Sequence, residues 1–222
     1  MDLLEAARER HSVRQYTGQK IEGETLEKLL AEIDRVNQES GLDIRLVQDE
    51  PKAFSGVMLK ALVHFSGADS YLAIIGPESE HLNVDAGYWG EHLVLFAQTL
   101  GLNTCWAMMA GKKRSGELGP GQRNVILISI GYGENQGKEH SSKPMGDFAD
   151  VKDAPEWFVR GVECAMLAPT GMNKQGFRFR REGDRVTLMS GSSTLSQIDS
   201  GIVKYHFELG AGRENFTWSE RS

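Results

Sequence analysis

The sequence predicts one globular domain that combines α-helices with β-strands. Its 222 residues are enough to form a single substantial core. Apolar residues recur at helical spacing from Glu24 to Gln38, and the apolar stretch from His81 to Leu100 contains no proline, which predicts a central core helix. Asp43 to Val47 alternates as a strand does, whereas Asn124 to Tyr132 is almost continuously apolar and suits a strand covered on both faces.

The remaining elements follow from periodicity and turn residues. They are a short helix at Leu3–Glu9, a buried strand at Ser70–Gly76, a loop with a short strand at Asn103–Met109, a loop at Lys112–Gln122, a helix from Pro155 to Leu167, a hairpin over Gly176–Met189, a last helix at Ser196–Gly210 and a tail that extends along the surface through Trp218.

Composition and charge exclude several classes of partner. A net charge of −6 argues against a nucleic-acid backbone as the main partner, because that would need a dominant basic face. No apolar run approaches the roughly 20 residues that span a bilayer. The N-terminus carries no secretory signal pattern, and the two cysteines, Cys105 and Cys164, form no ligand pair. We therefore expect a reduced cytoplasmic protein with no membrane partner.

A cluster of cationic and polar residues lies near the N-terminus, in the segment Arg10–Tyr16. If the preceding helix continues, Arg10 and Arg14 lie on the same side. The planar guanidinium group donates two parallel hydrogen bonds and keeps its charge, so a pair of them suits a phosphate. The alternative is a solvated basic surface at the end of a helix.

A second informative stretch is Ala168–Phe179. It places small and amide residues between a helix end and a strand, where backbone amides and carboxamides can surround the polar edge of a planar ligand. A simple helix C-cap and turn would explain Gly171, but it would not explain Asn173 together with Gln175.

Other motifs do not support catalytic or metal chemistry. Gly131-Tyr132-Gly133 follows a strand, but no helix opens after it to hold a pyrophosphate, so a dinucleotide fingerprint is excluded. The six histidines show no metal-ligand spacing, and Glu91-His92 lacks the second histidine of a zinc motif. Cys164 lies on an apolar helix and is interpreted as a structural thiol. The sequence therefore predicts no metal site and no catalytic side chain.

The chain also contains a short internal repeat, in which the second set of residues has the spacing of the first: Asp85, Gly87, His92 and Leu95 against Asp199, Gly201, His206 and Leu209. Each set follows a helix, a pair of extended segments and a turn. This pattern indicates a duplication within the single domain 1–222, with possible halves 1–150 and 151–222. Because the match is short, a chance coincidence is the alternative.

Taken together, these segments resemble the FMN-dependent nitroreductase family. Arg10–Tyr16 is similar to its Arg-x-Ser-x-Arg/Lys-x-aromatic signature, and Ala168–Phe179 is similar to its Ala-Pro-Ser-x-x-Asn-x-Gln-Pro-Trp-x-Phe segment. Asp85–Trp106 resembles its central helix, which runs into Leu-Gly-Leu-Gly-x-x-Trp, and Lys143 stands where the family often has a basic residue before proline. The resemblance implies an α+β fold with a mixed, mainly antiparallel sheet flanked by helices.

The order of the segments departs from the family pattern. The Ala-Pro-Ser segment usually precedes the central helix, but here it follows, and its Pro-Trp is Gly176-Phe177. Family members are typically intertwined dimers that hold the flavin at the interface. Our hypothesis is that the C-terminal half supplies, within one chain, the contacts of a second subunit, which predicts a pseudo-dimeric monomer. A homodimer is the alternative.

The resemblance also implies roles for individual residues. Arg10, Ser12 and Arg14 would hold the phosphate and the ribityl or pyrimidine edge of FMN. Lys143 would be a second phosphate ligand. Two further segments, one that begins at Trp106 and one that begins at Pro169, would contact the isoalloxazine ring. For Trp106, core packing is an equal alternative. The implied cofactor-binding residues are Arg10, His11, Ser12, Arg14, Trp106, Ala107, Met108, Lys143, Pro169, Thr170, Gly171 and Asn173.

The function implied by the resemblance is that of a flavoprotein oxidoreductase of the nitroreductase kind. NADH or NADPH would give hydride to flavin N5 and leave, and a nitroaromatic, quinone or similar acceptor would then take the electrons. The flavin carries this chemistry, so no catalytic side chain is required. Two alternatives stay open: a non-catalytic flavin-binding or storage protein, and a relative with other flavin chemistry such as dehalogenation or flavin fragmentation.

Overall fold

The computed structural model describes residues 1–54, 64–108 and 117–219. Asp2 caps the first helix by accepting a hydrogen bond of 2.8 Å from the Glu5 amide, and Gly41 ends the second helix in the left-handed conformation. The elements are α1 (Leu3–Glu9), α2 (Gly23–Ser40), β1 (Asp43–Val47), β2 (Tyr71–Pro77), α3 (Leu82–Thr99), β3 (Asn103–Ala107), β4 (Gln122–Gly131), α4 (Met145–Phe148), α5 (Glu156–Ala165), β5 (Phe177–Glu182), β6 (Arg185–Ser190), α6 (Thr194–Ala211) and β7 (Thr217–Trp218).

The larger sheet has four strands in the order β1-β2-β4-β3, and every neighbouring pair is antiparallel. Its two central strands are paired with Leu72 opposite Ile128. β4 is buried from Asn124 to Gly131, which confirms that this apolar run is a strand covered on both faces. Helices together with mainly antiparallel sheets confirm the predicted α+β class.

The smaller sheet corrects the prediction for the C-terminal tail. The hairpin of β5 and β6 is confirmed, but the tail forms β7, which pairs in parallel with β6. The Trp218 indole donates a hydrogen bond of 2.7 Å to Glu208 Oε1 on α6, so the tail is held against the sheet and the last helix. A tail that ran along the surface without pairing would leave the β7 backbone and the Trp218 indole without these hydrogen bonds.

The boundaries of one helix also differ from the prediction. Pro155 has an extended backbone and precedes α5 instead of lying in its first turn. The helix ends at Ala165 rather than Leu167, because Leu167 and Ala168 donate hydrogen bonds to carbonyls three residues earlier and tighten the chain into a turn. Met109 and residues 112–116 of the predicted loop lie outside the described residues.

Helix α3 lies at the centre of the molecule. It packs against α6, against α1 and α2, and against strands β2, β3 and β4. Most residues of this helix are buried, and they lie on all of its faces, which agrees with the long apolar stretch that predicted a core helix. No helix in the described parts of the chain is long and apolar enough to cross a membrane.

The repeated glycines allow α3 and α6 to approach each other closely and reciprocally. A Cβ atom on Gly87 would lie 2.0 Å from the carbonyl oxygen of Ile198, and a Cβ atom on Gly201 would lie 2.0 Å from that of Val84. Ile198 precedes Gly201 by three residues, as Val84 precedes Gly87. Each glycine therefore faces the same position of the opposite helix.

The repeated histidines are also reciprocal. His92 Nδ1 lies 2.7 Å from the Tyr205 hydroxyl, and His206 Nε2 lies 2.8 Å from Glu91 Oε1. Each histidine thus bonds to the residue that directly precedes the other histidine. The repeat found in the sequence therefore relates positions that meet each other across one helix pair.

Replacing Gly201 with alanine is expected to destabilise the protein by about 1–3 kcal/mol, because the added methyl group forces the two helix backbones apart. Chemical unfolding monitored by circular dichroism measures the change. Gly146→Ala is the matched control, since a Cβ atom there meets nothing within 4 Å. Equal stability of the two variants would contradict the close approach.

Candidate cofactor site

Two adjoining cavities share Arg14 and Pro169. The first has a volume of about 790 Å³ and is rich in cationic and imidazole side chains. The second has a volume of about 470 Å³ and is mostly apolar. The pair therefore suits a ligand with a charged end and a flat apolar end.

The polar cavity is formed by the segment after α1, by the loop between β4 and α4, and by the turn after α5. Two guanidinium groups and one ammonium group give it a positive character, although the chain as a whole is acidic. Its lining residues are Arg10, His11, Ser12, Arg14, Gln15, His64, Asn135, Gly137, Lys138, His140, Pro169 and Asn173.

The arginine segment is extended, and the helix before it ends at Glu9, as the sequence predicted. α1 ends at Glu9, and Arg10 already has extended backbone angles. The Val13 amide donates to the Thr104 carbonyl at 3.0 Å, and the Tyr16 amide donates to the Ser66 carbonyl at 2.9 Å. In an extended segment alternate residues share a side, so Arg10 and Arg14 still line one cavity.

Arg10 is buried and incompletely paired. Its side chain is 4% exposed, and its Nε has no hydrogen-bond partner among the described residues. The nearest carboxylate oxygen, Glu91 Oε1, is 4.0 Å away. Burial lowers the pKa of Arg10, and the charge of Glu91 opposes this shift. A buried donor without a partner is costly, so Arg10 is suited to bind an additional acceptor in the cavity.

Glu91 joins Arg10 to α6 and to β3 through a buried network. Its Oε2 accepts a hydrogen bond of 2.9 Å from the Trp106 indole, and its Oε1 lies 2.8 Å from His206 Nε2. His206 Nδ1 lies 3.2 Å from the Cys164 carbonyl. Since both ring nitrogens face acceptors, the imidazole donates from both and carries a positive charge. Burial lowers the pKa of His206, but the Cys164 side chain, with its Sγ 3.9 Å from Nδ1, and the bond to Glu91 outweigh this and raise the pKa to about 9.

His206 should make the stability of the protein fall at alkaline pH. Its pKa in the folded state, about 9, exceeds the unfolded value, so the folded state holds the extra proton between these values. The free energy of unfolding is expected to fall by up to about 1.4 kcal/mol per pH unit as the pH rises towards 9. Urea unfolding at several pH values measures this slope. The His206→Gln variant should lack this contribution; an identical slope in both proteins would contradict the assignment.

The apolar cavity lies between β3, the turn after α5 and one face of α6. Trp106 lines it while its N–H group is bonded to Glu91, so the indole serves both the network and the cavity. Residues from both ends of the chain contribute to the lining: Arg14, Phe65, Trp106, Ala107, Met108, Ile126, Pro169, Thr170, Gly171, Met172, Leu195, Ile198, Asp199 and Ile202.

The turn that separates the two cavities has an unusual backbone. Met172, Asn173 and Gln175 all have positive φ angles, between 49° and 54°, which cost energy in residues other than glycine. Asn173 Nδ2 and Gln175 Nε2 both donate to the Ser141 carbonyl, at 2.9 and 2.7 Å. The two carboxamides therefore hold this turn against the loop that precedes α4.

Eleven of the twelve residues predicted from the sequence line one or both cavities, and Lys143 lines neither. The Lys143 ammonium group instead donates to the carbonyls of Lys174 and Gln175, at 2.8 and 3.2 Å. Lys138 lines the polar cavity, although no sequence signal distinguished it. Sequence reasoning also missed Asp199, whose place in the internal repeat was noted only for its spacing.

Comparisons with known proteins agree with this architecture. A family model described as "Putative TM nitroreductase" matches residues 2–211. A crystal structure from Thermotoga maritima, described as a "putative nitroreductase", is similar with a TM-score of 0.64 and 23% identity, over 95% of this chain and 83% of that chain. A search of curated protein sequences finds no match.

Shorter proteins are similar over nearly their whole length. A protein from Staphylococcus epidermidis described as a "putative NAD(P)H:FMN oxidoreductase" has a TM-score of 0.52 and 18% identity, over 66% of this chain and 93% of its own. A "putative nitroreductase in complex with FMN" from Exiguobacterium sibiricum has a TM-score of 0.50 and 19% identity, over 68% of this chain and 97% of its own. With the family model covering almost all of the sequence, this chain belongs to the nitroreductase-like family that the model describes.

Proposed function

We propose that this protein is an FMN-dependent oxidoreductase that passes hydride from NADH or NADPH to a nitroaromatic, a quinone or a similar acceptor. The observation that carries the proposal is that a cationic cavity and an apolar one share two lining residues, Arg14 and Pro169. FMN has a dianionic phosphate at one end and a planar ring system at the other. The E. sibiricum protein, which shares this fold, is described as a complex with FMN.

The residues present fit this cofactor. Arg10 offers a buried donor without a partner, and Arg14 and Lys138 add positive charge to the same cavity. These groups would hold the phosphate, because charge-assisted bonds from guanidinium groups match its geometry. Trp106 and the turn at Pro169 would hold the ring. When bound, FMN supplies the capacity to accept hydride at N5 from a nicotinamide and to return it to an acceptor.

The chain's own groups would orient the ligand. Arg14 lines both cavities, so the charged and the apolar parts of the site share one cation. A cation beside the ring favours the uptake of electrons there. The buried Glu91 fixes the Trp106 indole through its N–H group, which keeps this wall of the apolar cavity in place.

We also propose that one chain forms a complete site. The N-terminal half contributes Arg14 and Trp106 to the apolar cavity, while the C-terminal half contributes Pro169 and the α6 side chains. The reciprocal contacts of α3 and α6 support a pseudo-two-fold relation between the halves. The shorter relatives, which align over 93% and 97% of their own lengths, leave about a third of this chain unmatched.

The test is anaerobic titration of the purified protein with FMN, followed by NADPH or NADH and then by a quinone. We expect the visible bands of oxidised flavin to vanish with a nicotinamide donor and to return with the quinone. Bands that persist with both donors would favour the flavin-storage alternative. A protein that takes up no FMN would overturn the assignment.

A further inference from the structure

An acidic side chain faces the apolar cavity from α6. Asp199 lies on the same helix face as Leu195 and Ile202, four residues before it and three residues after it, and all three line the cavity. Among the described lining residues, Asp199 is the acidic one, and Arg14 is the other ionisable side chain. Sequence reasoning assigned no role to this carboxyl group.

The surroundings of Asp199 stabilise the carboxylate form of its side chain only weakly. Among the described residues, the Gly171 amide alone donates a hydrogen bond to its two oxygens, at 3.0 and 3.2 Å, and no side chain there forms an ion pair with it. The charged groups that face it are Lys174, from the turn after α5, and Arg14, across the cavity. Glu91 differs, because it is bonded to both an indole and an imidazolium.

The protonation equilibrium of Asp199 follows from this environment. Burial raises its pKa to about 6, and the Gly171 hydrogen bond and the charge of Lys174 only partly oppose the shift. A carboxyl group near its pKa at neutral pH can both release and recover a proton, which is the property that general acid catalysis needs.

We propose that Asp199 is a catalytic acid, which protonates the oxygen of the acceptor as that acceptor is reduced in the apolar cavity. This inference rests on the proposed function. For a quinone, hydride that originates from NAD(P)H and passes by way of the flavin supplies two electrons and one proton. Asp199 supplies the second proton: its O–H bond breaks as an O–H bond forms on the quinone oxygen, which gives the hydroquinone. The carboxylate then recovers a proton from solvent.

The competing account is that Asp199 only positions the turn through Gly171. The Asp199→Asn variant separates the two accounts, because the amide oxygen still accepts the Gly171 N–H group but the side chain has no acidic proton. Asp85→Asn is the matched control. Asp85 occupies the equivalent place in the repeat, and burial raises its pKa as well, but it does not line the cavity.

The experiment measures the two half-reactions separately by anaerobic stopped flow. Reduction of the FMN-loaded protein by NADPH is followed first. The protein is then reduced with dithionite and mixed with a quinone across the range from about pH 5 to 8, so that a failure of NADPH does not hide the second step. In parallel, the carboxyl carbons of ¹³C-labelled apoprotein are titrated by NMR.

The expected results differ between the variants. In the unaltered protein and in Asp85→Asn, reoxidation by the quinone should slow as the pH rises through about 6. In Asp199→Asn it should be about 100-fold slower at low pH, should lack this pH dependence, and should converge with the unaltered protein at high pH. Reduction by NADPH should be unchanged, and one carboxyl titration near pH 6 should disappear from the NMR spectra.

Three results would overturn the proposal. The first is an Asp199→Asn variant that keeps the rate and pH dependence of the unaltered protein. The second is a variant that loses FMN affinity or slows both half-reactions equally at every pH, which would indicate positioning alone. The third is an NMR titration in which no carboxyl group near pH 6 is lost. Failure of NADPH to reduce the protein, with these signatures present, would count against the proposed donor instead.

Discussion

Replacing Glu91 with glutamine is expected to destabilise the protein by about 3–5 kcal/mol. The carboxylate is fully buried, and it faces the indole of Trp106, the ring of His206 and, at 4.0 Å, the guanidinium group of Arg10. Glutamine would leave two buried cations without their counter-charge. Its NH₂ group would also face a donor, because an amide accepts hydrogen bonds at one end only.

Chemical unfolding near neutral pH measures this loss. Glu78→Gln provides the control, because Glu78 pairs with Arg123 at an exposed position and should contribute at most about 1 kcal/mol. An equally small change for Glu91→Gln would show that the buried network is not held by charge. If Glu91→Gln does not fold, the double variant Glu91→Gln, His206→Gln is measured instead. It lacks the imidazolium that Glu91→Gln leaves without a counter-charge, so it should be less destabilised than the sum of the two single effects predicts.

Replacing Arg14 with methionine is expected to weaken FMN binding by about 10- to 100-fold, with little effect on unfolding. Arg14 is the charged residue that both cavities share, and it is exposed, so its charge is available to an incoming phosphate. Methionine keeps the length and apolar part of the side chain but removes the guanidinium group.

Fluorescence titration with FMN and with riboflavin measures the effect. Because the lost contact is made to the phosphate, the affinity for riboflavin should change less than the affinity for FMN. Arg180→Met is the control, since Arg180 is an exposed residue of β5 that lines neither cavity. Unchanged FMN affinity in Arg14→Met would show that the phosphate lies elsewhere.

Much of the fold could be predicted because the local patterns and the tertiary structure agree. The spacing of apolar residues predicted α2, the long apolar stretch without proline predicted α3, and the apolar run at Asn124–Tyr132 predicted β4. The tail was different. The pairing of Thr217 and Trp218 with β6 depends on residues that lie far earlier in the sequence, and two residues are too few to show a strand pattern.

The candidate site was predictable where a single segment carried it. Arg10, Arg14 and the turn at Pro169 are such cases, and the two arginines line one cavity from an extended segment rather than from a continued helix. Glu91 and Asp199 received no role in the flavin site, because no local sequence pattern marks either residue. Their roles arise only from what the neighbouring helix and turn bring next to them.

The central claim is that one chain holds one complete flavin site, and the most direct test is the mass of the flavin-loaded protein. Light scattering during size-exclusion chromatography, with absorbance recorded for protein and flavin together, gives the number of chains and flavins in each species. We expect one flavin in a species with the mass of one chain. Flavin that elutes only with a species of two chains would contradict the account, because the second subunit would then be needed to complete the site.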